Sequence, residues 1–221
     1  MWALPPLHSF VMLTSTNFTG LITRRFFQNL LPLPANSRVQ TGDLAPPFQC
    51  PSVSGDMVRL RHLVGASSRQ QPVLLAFTRI FTEHQYCPLC YPHIIALRDA
   101  YTEITARGVE LWMITSTDLE QSATVARDLQ LPMPLLSDPS CRSFRAYGTG
   151  QALGAPLPAQ FLVDGQGYIR FHHFFSFLEP NASLDRIHSA VDALKTSGDL
   201  KLSSAPQERA ANATQAEGTR P

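Results

Sequence analysis

Cysteine is scarce in this chain, charge is nearly balanced, and long apolar runs are missing. Four cysteines in 221 residues are too few to staple a small secreted scaffold, so a disulfide formed here suits catalysis better than architecture. The 18 Lys and Arg against 17 Asp and Glu leave a net charge near +1, which offers no basic face for nucleic acid. No stretch reaches the roughly 18 consecutive apolar residues of a membrane span. Apolar types make up 44% of the chain, enough for one ordinary core. These features favour one domain with tails in a reducing compartment, and the cytoplasm is the expected location.

The chain is organised around Val73-Leu74-Leu75-Ala76-Phe77-Thr78, a short loop, and Cys87-Pro88-Leu89-Cys90. Beyond the second cysteine, Ile94, Leu97, Tyr101 and Ile104 recur at the spacing of one helix face. The pattern predicts a buried strand feeding an amphipathic helix, with Pro88 in its first turn, where a missing N–H is no loss. Cys87 then sits at or just before the helix N-terminus. Unpaired N–H groups and the positive end of the dipole favour a thiolate there, making Cys87 the attacking sulfur. Cys90, one turn in and more buried, is the partner that closes the disulfide.

Other uses of a Cys-x-x-Cys pair fit less well. A zinc knuckle needs a second ligand pair, yet Cys50 and Cys141 stand alone. Covalent haem attachment asks for His after the second cysteine, where this chain has Tyr91. Two core cysteines that merely lie close together are the remaining alternative, and the strand–helix context weakens it. No cofactor and no metal are expected.

Residues 1–40 hold apolar clusters at Phe10-Val11-Met12-Leu13 and Phe26-Phe27, broken by polar residues and prolines. Thr23-Arg24-Arg25-Phe26-Phe27 imitates a twin-arginine export signal, but Leu30-Leu31-Pro32-Leu33-Pro34 is too short and proline-broken for the usual apolar region of about 7–15 residues. The favoured reading is a short amphipathic arm, packed on the domain or on a second copy in a homodimer. A domain over residues 41–196 follows. It begins with a β-hairpin around Ser54-Gly55-Asp56 and continues through the central strand, the cysteine helix ending at Gly108, and a strand at 109–115. A helix capped by Asp118, a helical turn after Asp138-Pro139, a hairpin around Asp164-Gly165-Gln166-Gly167 whose two glycines supply positive φ angles, and a last helix capped at Asn181 or Ser183 complete it. Residues 197–221 nearly lack large apolar types and read as a disordered tail.

Several side chains near the pair invite a role. Thr82 and His84 lie in the loop before Cys87, where either could modulate the thiolate, although a solvated loop histidine is the plainer reading of His84. His93 points away from Cys87 if both share one ideal helix. Cys50 and Cys141 read as small buried fillers rather than resolving thiols. The neighbours His172 and His173 face opposite sides of a strand and cannot easily share one metal ion.

The segments Leu75-Ala76-Phe77, Cys87-Pro88-Leu89-Cys90 and Leu157-Pro158-Ala159-Gln160-Phe161-Leu162-Val163-Asp164, with Thr41-Gly42-Asp43-Leu44-Ala45-Pro46-Pro47-Phe48 at the entry, resemble the thioredoxin-like redoxin superfamily in its AhpC/TSA, peroxiredoxin-related branch. The resemblance spans about residues 42–194. It implies an α/β thioredoxin-like fold, a central mixed sheet flanked by helices with an N-terminal β-hairpin, and a cis Pro158 packed against the cysteine pair. It also implies an external reductant, a thioredoxin or a small thiol, acting after a protein disulfide or a hydroperoxide substrate.

The chain departs from both branches it resembles. Peroxiredoxins carry Thr three residues before the attacking cysteine, where this chain has His84, and an arginine where Pro158 stands. Thioredoxin carries a buried Asp where Ala76 lies and a Trp where Tyr86 precedes the first cysteine. Thiol–disulfide exchange is therefore the first expectation, thiol peroxidase the second, and a non-catalytic redox-sensing module the third.

Overall fold

The structure is a computed structural model that describes residues 23–36, 39–65 and 70–196. The cluster at Phe10–Leu13 and the tail from residue 197 lie outside the described residues. In chain order the elements are α1 (Arg24–Gln28), β1 (Gln49–Pro51), β2 (Met57–Arg59), β3 (Val73–Thr78), β4 (Ile80–Thr82), β5 (Gln85–Tyr86), α2 (Tyr91–Ala106) and β6 (Glu110–Thr115). They continue with α3 (Leu119–Asp128), β7 (Leu135–Ser137), α4 (Arg142–Ala146), β8 (Gln151–Ala152), β9 (Ala155–Pro156), β10 (Ala159–Val163), β11 (Ile169–Phe174) and α5 (Leu184–Thr196).

One five-stranded mixed sheet in the order β11-β10-β3-β6-β7 forms the centre. β3 pairs in parallel with β6 and antiparallel with β10, so the uncharged strand is buried on both faces, as its composition predicts. Successive side chains alternate between the faces. Leu74, Ala76, Leu111, Met113 and Leu162 meet Ile94, Leu97 and Ile104 of α2, Val125 of α3, and Ile187, Val191 and Leu194 of α5. Val73, Leu75, Phe77, Trp112, Ile114 and Phe161 meet Phe144, Tyr147 and the β1–β2 side of the chain. On that second face Phe77, Phe144, Tyr147 and Phe161 form an aromatic cluster with ring centroids 4.8–5.9 Å apart.

Local signals place most element ends. The Asp118 carboxylate accepts from the Gln121 N–H at 2.9 Å and starts α3. Gly108, at φ +84°, follows the end of α2. Asp138 caps α4 by accepting from the Ser143 and Arg142 N–H groups at 2.8 and 3.2 Å. At the last helix Ser183 supplies the cap, its Oγ accepting from Arg186 N–H at 3.3 Å, while Asn181 is engaged elsewhere.

Four expectations need correction. First, α2 starts at Tyr91: Cys90 occupies its N-cap position, and Pro92, not Pro88, is the proline of the first turn. The Cys90 and Tyr91 N–H groups both donate to the Cys87 carbonyl, at 2.9 and 3.0 Å, closing a turn before the helix. Second, residues 80–86 are not an open loop but the hairpin β4–β5, with Ile80 and Thr82 turned inward. Third, the Leu157–Pro158 peptide is trans. The chain runs extended from β9 into β10, Leu157 N–H is satisfied by the Gly150 carbonyl at 3.0 Å, and nothing there demands the less favourable isomer. Fourth, of the two turn glycines only Gly167 has positive φ, +98°. Gly165 is required for close approach, because a Cβ there would lie 2.1 Å from the Gln70 carbonyl oxygen.

Candidate active site

β3 runs out at Thr78, and Arg79 and the β4–β5 hairpin carry the chain back to Cys87 at the C-terminal end of the parallel strands. Cys87 and Cys90 are 5% and 1% exposed, and both are free thiols. The turn between them leaves Pro88 and Leu89 on the surface. It is held from outside by Asn181, whose amide donates to the Leu89 carbonyl at 3.1 Å. Asn181 in turn accepts from buried Gln160 of β10 at 3.0 Å, and the Gln160 side-chain oxygen accepts from Ala182 N–H at 2.8 Å. A fully buried amide thus locks the entry to α5 over the cysteine turn.

The two sulfurs are electrostatically unlike. A hydrogen bond from the Cys90 thiol holds Cys87 well below the ordinary cysteine range, against the cost of burial, helped by the Leu89 and Cys90 N–H groups and the Arg79 charge. Cys90 is pushed strongly up by that same hydrogen bond, by burial and by repulsion from the Cys87 thiolate. Burial also raises Cys50 to about 12 and Cys141 to about 11. Of the four cysteines only Cys87 is shifted toward the thiolate, and its donors come from the turn and from a neighbouring strand end rather than from inside the helix.

Arg79 was not singled out from the sequence. Its side chain is buried, its Nη2 donates to the Ala152 and Leu153 carbonyls, the second at 3.4 Å, and its guanidinium lies 4.7 Å over the Phe81 ring. Burial lowers its pKa, and the charges of Cys87 and Cys90 together with a hydrogen bond to Cys87 oppose that. An arginine keeps its proton even so. Its Nε–H has no hydrogen-bond partner. The available signal was a cation directly after an uncharged strand and followed by an inward-facing alternation, Ile80 and Thr82, which places it at a buried strand end.

The remaining candidates are placed as follows. Thr82 is buried, but its hydroxyl accepts from the His84 N–H at 3.3 Å, within the β4–β5 turn. His84 is exposed at the tip of that turn. Pro158 is buried and, from the register Ala159 opposite Phe77, lies level with the end of β3. His93 lies in the first turn of α2 with an unpartnered buried Nε2, lowered to about 4 by burial and by the charge of His173. His172 packs on Phe161 and Phe174, whereas His173 bonds the Glu179 carbonyl at 2.9 Å, so the pair does diverge. Among the described residues no group of His, Cys, Asp and Glu could hold a metal ion.

The mixed sheet with helices on its faces is of the thioredoxin-like class. Residues 41–172, more than half of the chain, match the AhpC/TSA family, and the chain belongs to that family. It is 27% identical to peroxiredoxin Bcp of Escherichia coli over 150 residues, spanning 65% of this chain and 90% of that protein. A putative peroxiredoxin of Mycobacterium tuberculosis is 30% identical over 141 residues, spanning 60% and 83%. The crystal structure of peroxidoxin BcpB from Mycobacterium tuberculosis superposes with a TM-score of 0.61 at 21% identity, spanning 71% of this chain and 99% of that one. No helix among the described residues is long and apolar enough to cross a membrane.

Proposed function

We propose that the protein is a two-cysteine thiol peroxidase whose attacking and resolving thiols, Cys87 and Cys90, lie in one turn. The observation that carries this reading is the asymmetry of the pair, one thiolate stabilised by the thiol that will resolve it. The names of the similar proteins, peroxiredoxins from several bacteria, support peroxide as the oxidant over the disulfide expected first. The low exposure of Cys87 also suits a small hydroperoxide better than a bulky protein disulfide.

The Cys87 thiolate attacks one peroxide oxygen, the O–O bond breaks, and the departing alkoxide or hydroxide takes up a proton. Cys87 becomes a sulfenic acid. The negative charge that raised Cys90 has then gone, so its thiol ionises more readily. Its attack on the Cys87 sulfur forms the disulfide and releases water. An external dithiol of the thioredoxin type, or two small thiols, restores the pair. A reducing compartment such as the cytoplasm supplies such thiols.

Disulfide exchange by the same pair is the second reading, favoured by the occupied Thr82 hydroxyl and by Pro158 at the position of the peroxiredoxin arginine. Stopped-flow mixing of reduced protein with hydrogen peroxide separates the two. Rapid loss of thiolate that vanishes in Cys87→Ser supports peroxidase action. Sluggish reaction with peroxide, beside fast exchange with a protein disulfide, reverses the order.

A further inference from the structure

Residues 23–36 lie along the segment from Gly148 to Gly154. Leu33 and Gln151 exchange backbone hydrogen bonds at 2.8 Å each, Leu153 N–H donates to Leu30 at 3.2 Å, and Gly154 N–H donates to Asn29 at 3.0 Å. The Gln151 side chain adds bonds to the Gln28 and Leu31 carbonyls at 3.1 and 3.2 Å. At the end of this run Gly154 has φ +84°, and a Cβ there would stand 2.0 Å from Cδ2 of Phe26. The Phe26 ring therefore rests directly on the Gly154 backbone. That contact fixes the tight turn between β8 and β9.

The same turn carries the Ala152 and Leu153 carbonyls that receive the Arg79 guanidinium. The arm also reaches the other side of Arg79. The Arg25 guanidinium donates to the Phe81 carbonyl at 2.5 Å and to the Ser116 carbonyl, and Phe81 is the residue whose ring lies under Arg79. A long cationic side chain keeps one geometry only where its partners are fixed, since ordering it costs up to about 2 kcal/mol of rotamer entropy. Both partners of Arg79, the carbonyl pair and the aromatic ring, are fixed by residues of the arm.

We propose that Phe26 is a positioning residue for the redox centre: by clamping the turn at Gly154 it holds the carbonyls that aim the Arg79 guanidinium at Cys87. The inference rests on Cys87 being the reacting thiol, as proposed above. The arm then sets the ionisation of a cysteine with which it shares no contact among those described.

The test is a thiolate titration of the reduced full-length protein by absorbance near 240 nm, for the wild type, Phe26→Ala, Arg79→Gln and the double variant. Arg79→Gln should raise the Cys87 midpoint by about one pH unit, a tenfold loss of thiolate at a pH below both midpoints. Phe26→Ala should reproduce most of that shift, and the double variant should move no further than Arg79→Gln alone. Phe26→Leu, which keeps most of the apolar volume, should give a smaller shift in the same direction and serves if the alanine variant does not fold. An unshifted midpoint in both Phe26 variants, or a shift additive with that of Arg79→Gln, overturns the proposal. The titration needs no substrate, so failure of the peroxidase reading would show separately, as a slow peroxide reaction in a wild type whose midpoint is still low.

Discussion

The Cys87 N–H donates to the Arg79 carbonyl at 3.4 Å, so Cys87 and Arg79 are joined through one backbone link across the β4–β5 hairpin. The hairpin folds the chain back on itself and brings the end of β3 against the start of the cysteine turn. The sulfur and the guanidinium then share a site from which water is largely excluded, where charge interactions are stronger than at the surface.

The first prediction concerns Cys90. Its thiol is the largest contribution to the lowered Cys87 pKa, so Cys90→Ala should raise the Cys87 midpoint. Oxidation should slow with it, by about tenfold per pH unit of rise when measured at a pH below both midpoints, and by only about twofold at neutral pH. The sulfenic acid should then persist, having lost its resolving thiol. Dimedone labelling with mass spectrometry checks this, and a Cys87 that is not labelled after peroxide would assign resolution to another thiol.

The second concerns pH. Thiol reactivity follows the thiolate, so alkylation of Cys87 should fall as pH drops through a midpoint well below the 8.5 or so of a free cysteine, and level off above it. Cys50 and Cys141, raised to about 12 and about 11, should stay unmodified at pH 8 in the folded protein. Mass spectrometry after brief iodoacetamide treatment should find a single modified residue.

His93 carries the third. Its folded pKa of about 4 lies below the ordinary histidine value near 6.5, so the unfolded chain binds the extra proton between them. Stability should therefore rise with pH from about 4 to 6.5 and be flat above, with His93 accounting for a change on the order of 2–3 kcal/mol. Urea denaturation at pH 5 and pH 7 should show a smaller difference in His93→Gln than in the wild type.

Tyr147 gives the fourth. Its ring is fully buried in the aromatic cluster while its hydroxyl has no partner. Tyr147→Phe removes an unsatisfied polar atom and keeps the ring, so stability should hold or increase by up to about 1 kcal/mol. A loss above about 1 kcal/mol in chemical denaturation would mean that the hydroxyl has a partner, such as buried water.

Last, Gln160→Leu should strip Ala182 N–H of its acceptor and free Asn181 from the cysteine turn. The expected cost is about 1–3 kcal/mol. Faster hydrogen exchange at Leu89 and Cys90 should accompany it, and unchanged exchange there would detach Gln160 from the site.

The sequence by itself determined the central strand, the longer helices and the spacing of the cysteine pair, because these follow from short-range regularities. The uncharged run Val73–Thr78 reads as a strand buried on both faces, the Ile94, Leu97 and Ile104 stripe as a helix face, and Asp118 as a cap, since each depends on neighbours within one turn or pleat. The Cys-x-x-Cys spacing likewise limits the chemistry locally. Where local signals competed, the tertiary structure decided. Pro88 and Pro92 could each sit in a first turn, and the helix begins at Tyr91 with Cys90 as its N-cap. Pro158 is trans because β9 passes straight into β10, a path set by pairing with β3 and β11 rather than by the proline itself. The carbonyls that seat Arg79, the Gln160–Asn181–Leu89 clamp and the arm that grips the β8–β9 turn all join segments distant in the chain, Gln28 and Gln151 being 123 residues apart. Periodicity and spacing carry no information over such separations, since the contacts form only when sheet order and hairpin closure bring those segments together.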